Sequence, residues 1–157
     1  VKKILIDKPI KLKIAPDAYD YVVCYRSYLI LKKSFLSKIK FAAINFHPGP
    51  PSYRGIGCAN FSILNQEKIY GVTAHIINEK VDCGKIIDVK RFGIKNIKSI
   101  SRILNQTHKL MFKQANTIIK KIILNILNLK GSFKPISRNI RFYFIFINDF
   151  NIFFEHL

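Results

Sequence analysis

The chain has 157 residues, of which 49% are hydrophobic and 23% charged. It is too apolar for a disordered polymer and long enough for one domain with a buried core. The net charge of +18 leaves two readings open: a polyanionic partner such as tRNA, a nucleotide or a polyglutamylated cofactor, or drift towards A/T-rich codons, since the lysines are scattered and Ile, Asn and Phe are abundant.

The opening "VKKILIDK" is too short and too charged for a signal peptide. "YDYVVCY" (19–25) is a β-branched and aromatic run and predicts a strand. "LKKSFLSKIK" (31–40) predicts a short helix, and "FAAINF" (41–46) is uniformly apolar, as a strand buried on both faces should be. Two strands joined through a helix predict a βαβ unit in a parallel sheet. Few residues precede the first of these strands, so the opening βαβ of a full α/β domain is expected to be missing or shortened. "GCANFSILNQ" (57–66) predicts a helix, "YGVTAHII" (70–77) a strand, and "IIDVKRFGI" (86–94) a second strand paired with it as a hairpin. From Ser99 to about Leu129 one amphipathic helix is expected. Ile100, Ile103, Leu104, Met111, Ala115, Ile118, Ile119 and Ile122 recur at three- and four-residue spacing, and Gly131 and Pro135 stop it. The domain therefore runs over 1–130, with an apolar tail over 131–157. That tail, "RFYFIFINDFNIFFEHL", is interrupted by Asn148, Asp149 and Asn151. It lacks the roughly 18 unbroken apolar residues of a membrane helix and reads as a packed strand or as an interface that would make a homodimer.

The chemistry concentrates in "NFHPGPPSYRG" (45–55). Asn45 and His47 end a buried strand, where open α/β sheets bind ligands, and residues i and i+2 of a strand point the same way. Pro48, Pro50 and Pro51 stiffen the exit. Asp82, in "VDCGK", is either a turn residue or a carboxylate that holds His47. Arg54 and Gly55, followed by Gly57 at a helix start, offer an anion pocket. His75 reads as structural support, and His108 and His156 as ordinary structural histidines. Cys24, Cys58 and Cys83 form no C-x-x-C pair and are odd in number, which points to a reducing, cytoplasmic setting and gives no metal-ligand pattern. No P-loop, G-x-G-x-x-G, G-x-S-x-G or H-E-x-x-H motif is present. An amide, an imidazole and a carboxylate without a metal suit acyl-type transfer.

"INFHPGPPSYRGIGCANFSIL" followed by "YGVTAHIINEKVDCGKII" resembles the catalytic domain of the folate-dependent formyltransferases, the family of the methionyl-tRNA, glycinamide ribonucleotide and amino-sugar formyltransferases. Its Asn-x-His, Pro-rich loop to Arg-Gly, Gly-Val-Thr-x-His and Asp-x-Gly elements occur here in order, and the likeness extends over about residues 19–125. The resemblance implies a partial Rossmann-like α/β fold with a mostly parallel sheet, a β-hairpin and a long C-terminal helix. It implies 10-formyltetrahydrofolate as co-substrate and Asn45, His47 and Asp82 as the catalytic trio. Asn45 and His47 would stabilise the oxyanion of a tetrahedral intermediate, and Asp82 would hold His47 or relay protons. Tyr25, Arg26, Asn78 and Val81 fall on the folate pocket, and Arg54 and Gly55 on the acceptor side. The loop "HPGPPSYRG" is nearer to the small-molecule and sugar enzymes, which makes an amine such as an amino-sugar nucleotide the expected acceptor. A methionyl-tRNA acceptor and a non-catalytic folate-binding remnant are the alternatives.

Overall fold

The computed structural model describes residues 2–6, 19–130 and 141–147. Its elements, in chain order, are β1 (Lys2–Ile6), β2 (Tyr21–Tyr25), α1 (Lys33–Leu36), β3 (Ala42–His47), α2 (Cys58–Leu64), β4 (Ile69–Ile76), β5 (Ile86–Gly93), α3 (Ile100–Lys130) and β6 (Phe142–Ile147). The strands form one sheet in the order β1-β6-β2-β3-β4-β5. β1, β6, β2 and β3 run parallel to one another, while β4 is antiparallel to both β3 and β5. The expected parallel pair and the hairpin are both present.

The two faces of the sheet follow from alternation along the strands. Val23, Ile44, Phe46, Val72, Ala74 and Phe144 pack against Met111, Ala115, Ile118 and Ile119 of α3. Val22, Cys24, Ala43, Tyr143 and Ile145 pack on the other face against Leu31 and the region of α1. The periodicity of α3 identified its buried stripe, with one exception at its end, where Ile100 is 42% exposed. The helix predicted over 31–40 shrinks to four residues.

β6 is the tail's contribution. Its run Phe-Tyr-Phe-Ile-Phe-Ile suits a strand covered on both faces, and it takes the slot between β1 and β2, with Tyr143 at 1% and Ile145 at 0% exposure. This part of the tail is therefore used inside the chain's own core. The rest of the tail, where a homodimer surface was also expected, lies outside the described residues. No helix among the described residues is long and apolar enough to cross a membrane.

Candidate active site

β3 delivers its last residues to the site on the face away from α3, because Ile44 and Phe46 take the α3 face. Asn45 and His47 therefore point together. β4 presents the matching positions: Asn45 is registered opposite His75, and His47 opposite Thr73. The turn between β4 and β5 then brings Asp82 over this pair. Asp82 has φ 50°, in the left-handed region. Strained backbone of this kind is characteristic of functional sites. Gly84 follows at a point of contact so close that any Cβ would strike the Ile76 carbonyl, which seats the turn against β4.

The Asp82 carboxylate is the hub. Oδ1 accepts from Asn45 Nδ2 at 3.0 Å and lies 3.2 Å from His75 Nε2. Oδ2 accepts from the Gly55 N–H at 2.9 Å and meets His47 Nδ1 at 3.1 Å. Burial alone would raise the Asp82 pKa. The contacts with His75 and His47 and the Gly55 N–H outweigh it and hold the group below the ordinary carboxylate value. The Gly55 amide, expected on the acceptor side, is thus engaged by the protein's own anion. Arg54, expected beside it, donates from Nη1 to Cys83 Sγ at 3.0 Å.

His47 is 4% exposed. Its Nε2 donates to the Tyr53 carbonyl at 2.8 Å, so in a neutral ring Nδ1 would turn a lone pair towards Oδ2 of Asp82. A hydrogen bond across that 3.1 Å contact therefore requires one proton shared by the pair, and the depressed Asp82 pKa puts it on the ring. Burial pulls the His47 pKa below the ordinary imidazole value, while Asp82 and the Tyr53 carbonyl oppose that shift without reversing it. The proton is therefore labile.

The Pro-rich loop is pinned from β4. Tyr70 donates to the Pro48 carbonyl and Thr73 to the Gly49 carbonyl, each at 2.8 Å. Neither these ties nor the approach of Cys58 Sγ to 3.6 Å from His47 Nε2 could be read from residue order alone. His75 was expected as support, and here it touches both Asp82 and Asn45. Its place opposite Asn45 was hidden until the strand register was known.

Asn45 departs from expectation. Both of its amide contacts, to Asp82 Oδ1 at 3.0 Å and to His75 Nε2 at 3.3 Å, are made by Nδ2. The atom left over is Oδ1, which is buried without a hydrogen-bond partner. In this arrangement the protein takes the amide hydrogens, and Oδ1 is the atom without a partner.

A cavity of about 740 Å³ opens beside these residues. Asn45, His47, Arg54, Gly55 and Asp82 line it, as do Arg26, Asn78 and Val81 of the expected folate segment. Tyr25 does not. It alternates to the α3 face, packs with Phe46 and is 9% exposed. Arg26, with φ 52°, turns the chain from that core position to the cavity rim. Among the described residues no group of His, Cys, Asp and Glu is arranged to hold a metal ion.

A Rossmann-like sheet with an amide, an imidazole and a carboxylate gathered beside a cavity at the end of β3 defines a class of transferase. The chain belongs to the formyl transferase family, whose model matches residues 2–115. A methionyl-tRNA formyltransferase of Hydrogenobaculum sp. is 32% identical over 139 residues, covering 88% of this chain and 43% of that protein. Among solved structures, the phosphoribosylglycinamide formyltransferase of Campylobacter jejuni is similar with a TM-score of 0.59 at 27% identity, over 66% of this chain and 55% of that one. The N-formyltransferase of Helicobacter canadensis, solved with folinic acid and dTDP-3-aminofucose, gives 0.55 at 30% identity, over 61% of this chain and 35% of that one. The chain spans between 24% and 46% of the length of eight curated relatives that it matches.

Proposed function

We propose that this chain transfers a formyl group from 10-formyltetrahydrofolate to a primary amine of a small molecule, such as an amino-sugar nucleotide, with Asn45, His47 and Asp82 as the catalytic trio. The observation that carries the reading is the meeting of Asn45 and His47 on the Asp82 carboxylate beside a cavity large enough for a folate-sized ligand. The buried Oδ1 of Asn45 fits an amine hydrogen, and the solved relative with folinic acid and dTDP-3-aminofucose fits both ligand classes.

Arg26, Asn78 and Val81 would hold the folate, and Arg54 would face the acceptor. The folate supplies an activated one-carbon unit. His47 would meet the charge that develops on a formyl oxygen in the cavity by sharing a ring N–H with its present partner, Nδ1 with Asp82 or Nε2 with the Tyr53 carbonyl. One donor of this kind is worth on the order of 10² to 10³ in rate. Asp82 holds the ring in place and opposes the burial that lowers its pKa. Asn45 would accept the amine N–H and so orient the nitrogen lone pair on the formyl carbon. As the new C–N bond forms and the bond from the formyl carbon to N10 of the folate breaks, Asp82 would relay the amine proton to N10, the leaving nitrogen. The Tyr53 carbonyl and the loop ties from Tyr70 and Thr73 keep the imidazole from turning.

A second reading, an aminoacyl-tRNA acceptor, is favoured by the name of the curated relatives and by the net charge. The test is incubation with 10-formyltetrahydrofolate labelled in its formyl group and, separately, an amino-sugar nucleotide, glycinamide ribonucleotide and methionyl-tRNA. Label in a small amine supports the first reading and label in tRNA alone the second. Folate binding without transfer to any acceptor contradicts both.

A further inference from the structure

The 31 residues of α3 contain no acidic side chain. Four of the cations on this helix are in line, while Lys121 falls about 100° off it. Arg102, Lys109, Lys113 and Lys120 are separated by seven, four and seven positions. At 3.6 residues per turn these spacings return to within about 20° of one line, and at 1.5 Å per residue the line is about 27 Å long. All four side chains are exposed. They lie opposite the stripe of Met111, Ala115 and Ile119 that packs on the sheet. None of the ion pairs formed among the described residues involves them.

Drift in codon usage scatters lysines. It does not by itself align four cations on one exposed line while excluding every acid from the whole helix. Keeping such a row together costs like-charge repulsion that nothing on the helix relieves. A polyanion whose charges repeat along an axis would relieve it. Between the cations the same side carries Gln106 and Thr117, both exposed. These are uncharged hydrogen-bonding groups of the kind that meet phosphate and sugar oxygens. No aromatic or aliphatic side chain lies on this line between its cations, so it has nothing to sink into a bilayer.

We infer that the outer face of α3 binds the phosphate backbone of a nucleic acid, without reading its sequence. The surface is separate from the catalytic cavity and does not rest on the transfer reaction.

The test is fluorescence anisotropy of a labelled, unstructured RNA titrated with the full chain between about 50 and 200 mM salt. Four single-strand phosphate contacts give a log-affinity against log-salt slope of about −3. The variant Arg102→Gln/Lys109→Gln/Lys113→Gln/Lys120→Gln should lose that slope and bind about tenfold or more weakly at the low-salt end. Glutamine is a good helix former, so the exposed helix is expected to persist, and circular dichroism checks this. The double variant Lys109→Gln/Lys113→Gln should lose about half the slope. A control with the same change in net charge, Lys38→Gln/Lys68→Gln/Lys95→Gln/Lys98→Gln, should bind RNA much as the wild type does. Equal losses in the control and the helix variant overturn the inference, because net charge alone would then explain binding. So does a wild-type chain that fails to bind RNA. Capture by vesicles of anionic phospholipid, dependent on the four α3 cations and without RNA binding, also overturns it and assigns the face to a membrane surface.

Discussion

Nδ1 of His47 lies 3.1 Å from Oδ2 of Asp82, although His47 closes β3 and Asp82 belongs to the turn after β4. The contact works only if the pair shares a proton, and Asp82 supplies the charge that favours it. Asp82→Asn keeps the shape and removes the charge. Turnover is expected to fall by about 10²-fold or more, with little change in affinity for folinic acid. In the wild type the His47 ring should titrate below the ordinary value of 6.5, because burial dominates. In Asp82→Asn it should titrate lower still, since the carboxylate that opposes burial is gone. An NMR titration of the ring protons checks both directions, and an upward move in the variant would count against the pairing.

Gly49 is a positioning residue by its lack of a side chain. A Cβ there would fall 2.6 Å from His47 Nε2 and 3.1 Å from the Tyr53 carbonyl oxygen. Thr73 holds the Gly49 carbonyl, so the loop cannot simply retreat. Gly49→Ala is expected to cost about 1 to 3 kcal/mol of stability by overpacking. It should also depress turnover at a temperature where the variant is fully folded by circular dichroism. A variant with wild-type turnover would mean that the His47–Tyr53 contact does not matter for the chemistry.

β6 gives a contrast between two neighbouring side chains. Ile145 is fully buried, and Ile145→Ala should cost about 2 to 5 kcal/mol. The hydroxyl of Tyr143 is buried without a hydrogen-bond partner. Tyr143→Phe removes that desolvated group and should be neutral or stabilising, by about 1 kcal/mol. Urea midpoints of the two variants measure this. An Ile145→Ala chain as stable as the wild type would show that β6 does not lie inside the sheet.

His108, on α3, should make stability depend on pH. Burial, helped by the charge of Arg26, lowers its pKa from 6.5 to about 4. Between those values the unfolded chain binds the proton and the folded chain does not. The contribution is therefore complete above pH 6.5 and is lost as pH falls towards 4. The ring is only half-buried, so solvent screening reduces the effect to about 1 to 2 kcal/mol. Relative to their separation above pH 6.5, the thermal melts of the wild type and His108→Gln should shift apart as pH falls towards 4, with the wild type losing stability that the variant keeps, and curves that stay parallel throughout would contradict the assignment.

The strands were legible in the sequence because β-branched and aromatic runs in this chain are short and bounded. The helix α3 was legible because its apolar residues keep one period over about six turns. The site was legible for a different reason. Asn45 and His47 share a face by strand geometry alone, but Asp82 could be joined to them only through the family pattern, since its left-handed φ and its turn are invisible in composition. The direction of the Asn45 amide was also hidden. It depends on Asp82 and His75 taking both donors, which needs the register of β3 against β4. Tyr25 went to the core and not to the pocket because Phe46 and α3 cover its side of β2. β1 was read only as a charged opening, because five residues without a neighbouring strand in view carry little signal.

The most direct test is a single-turnover reaction of chain, 10-formyltetrahydrofolate and the amine that accepts label, with folinic acid affinity measured in parallel. For His47→Gln the account predicts retained binding and a loss of transfer of about 10² to 10³-fold. Transfer at the wild-type rate by a folded His47→Gln chain would contradict it.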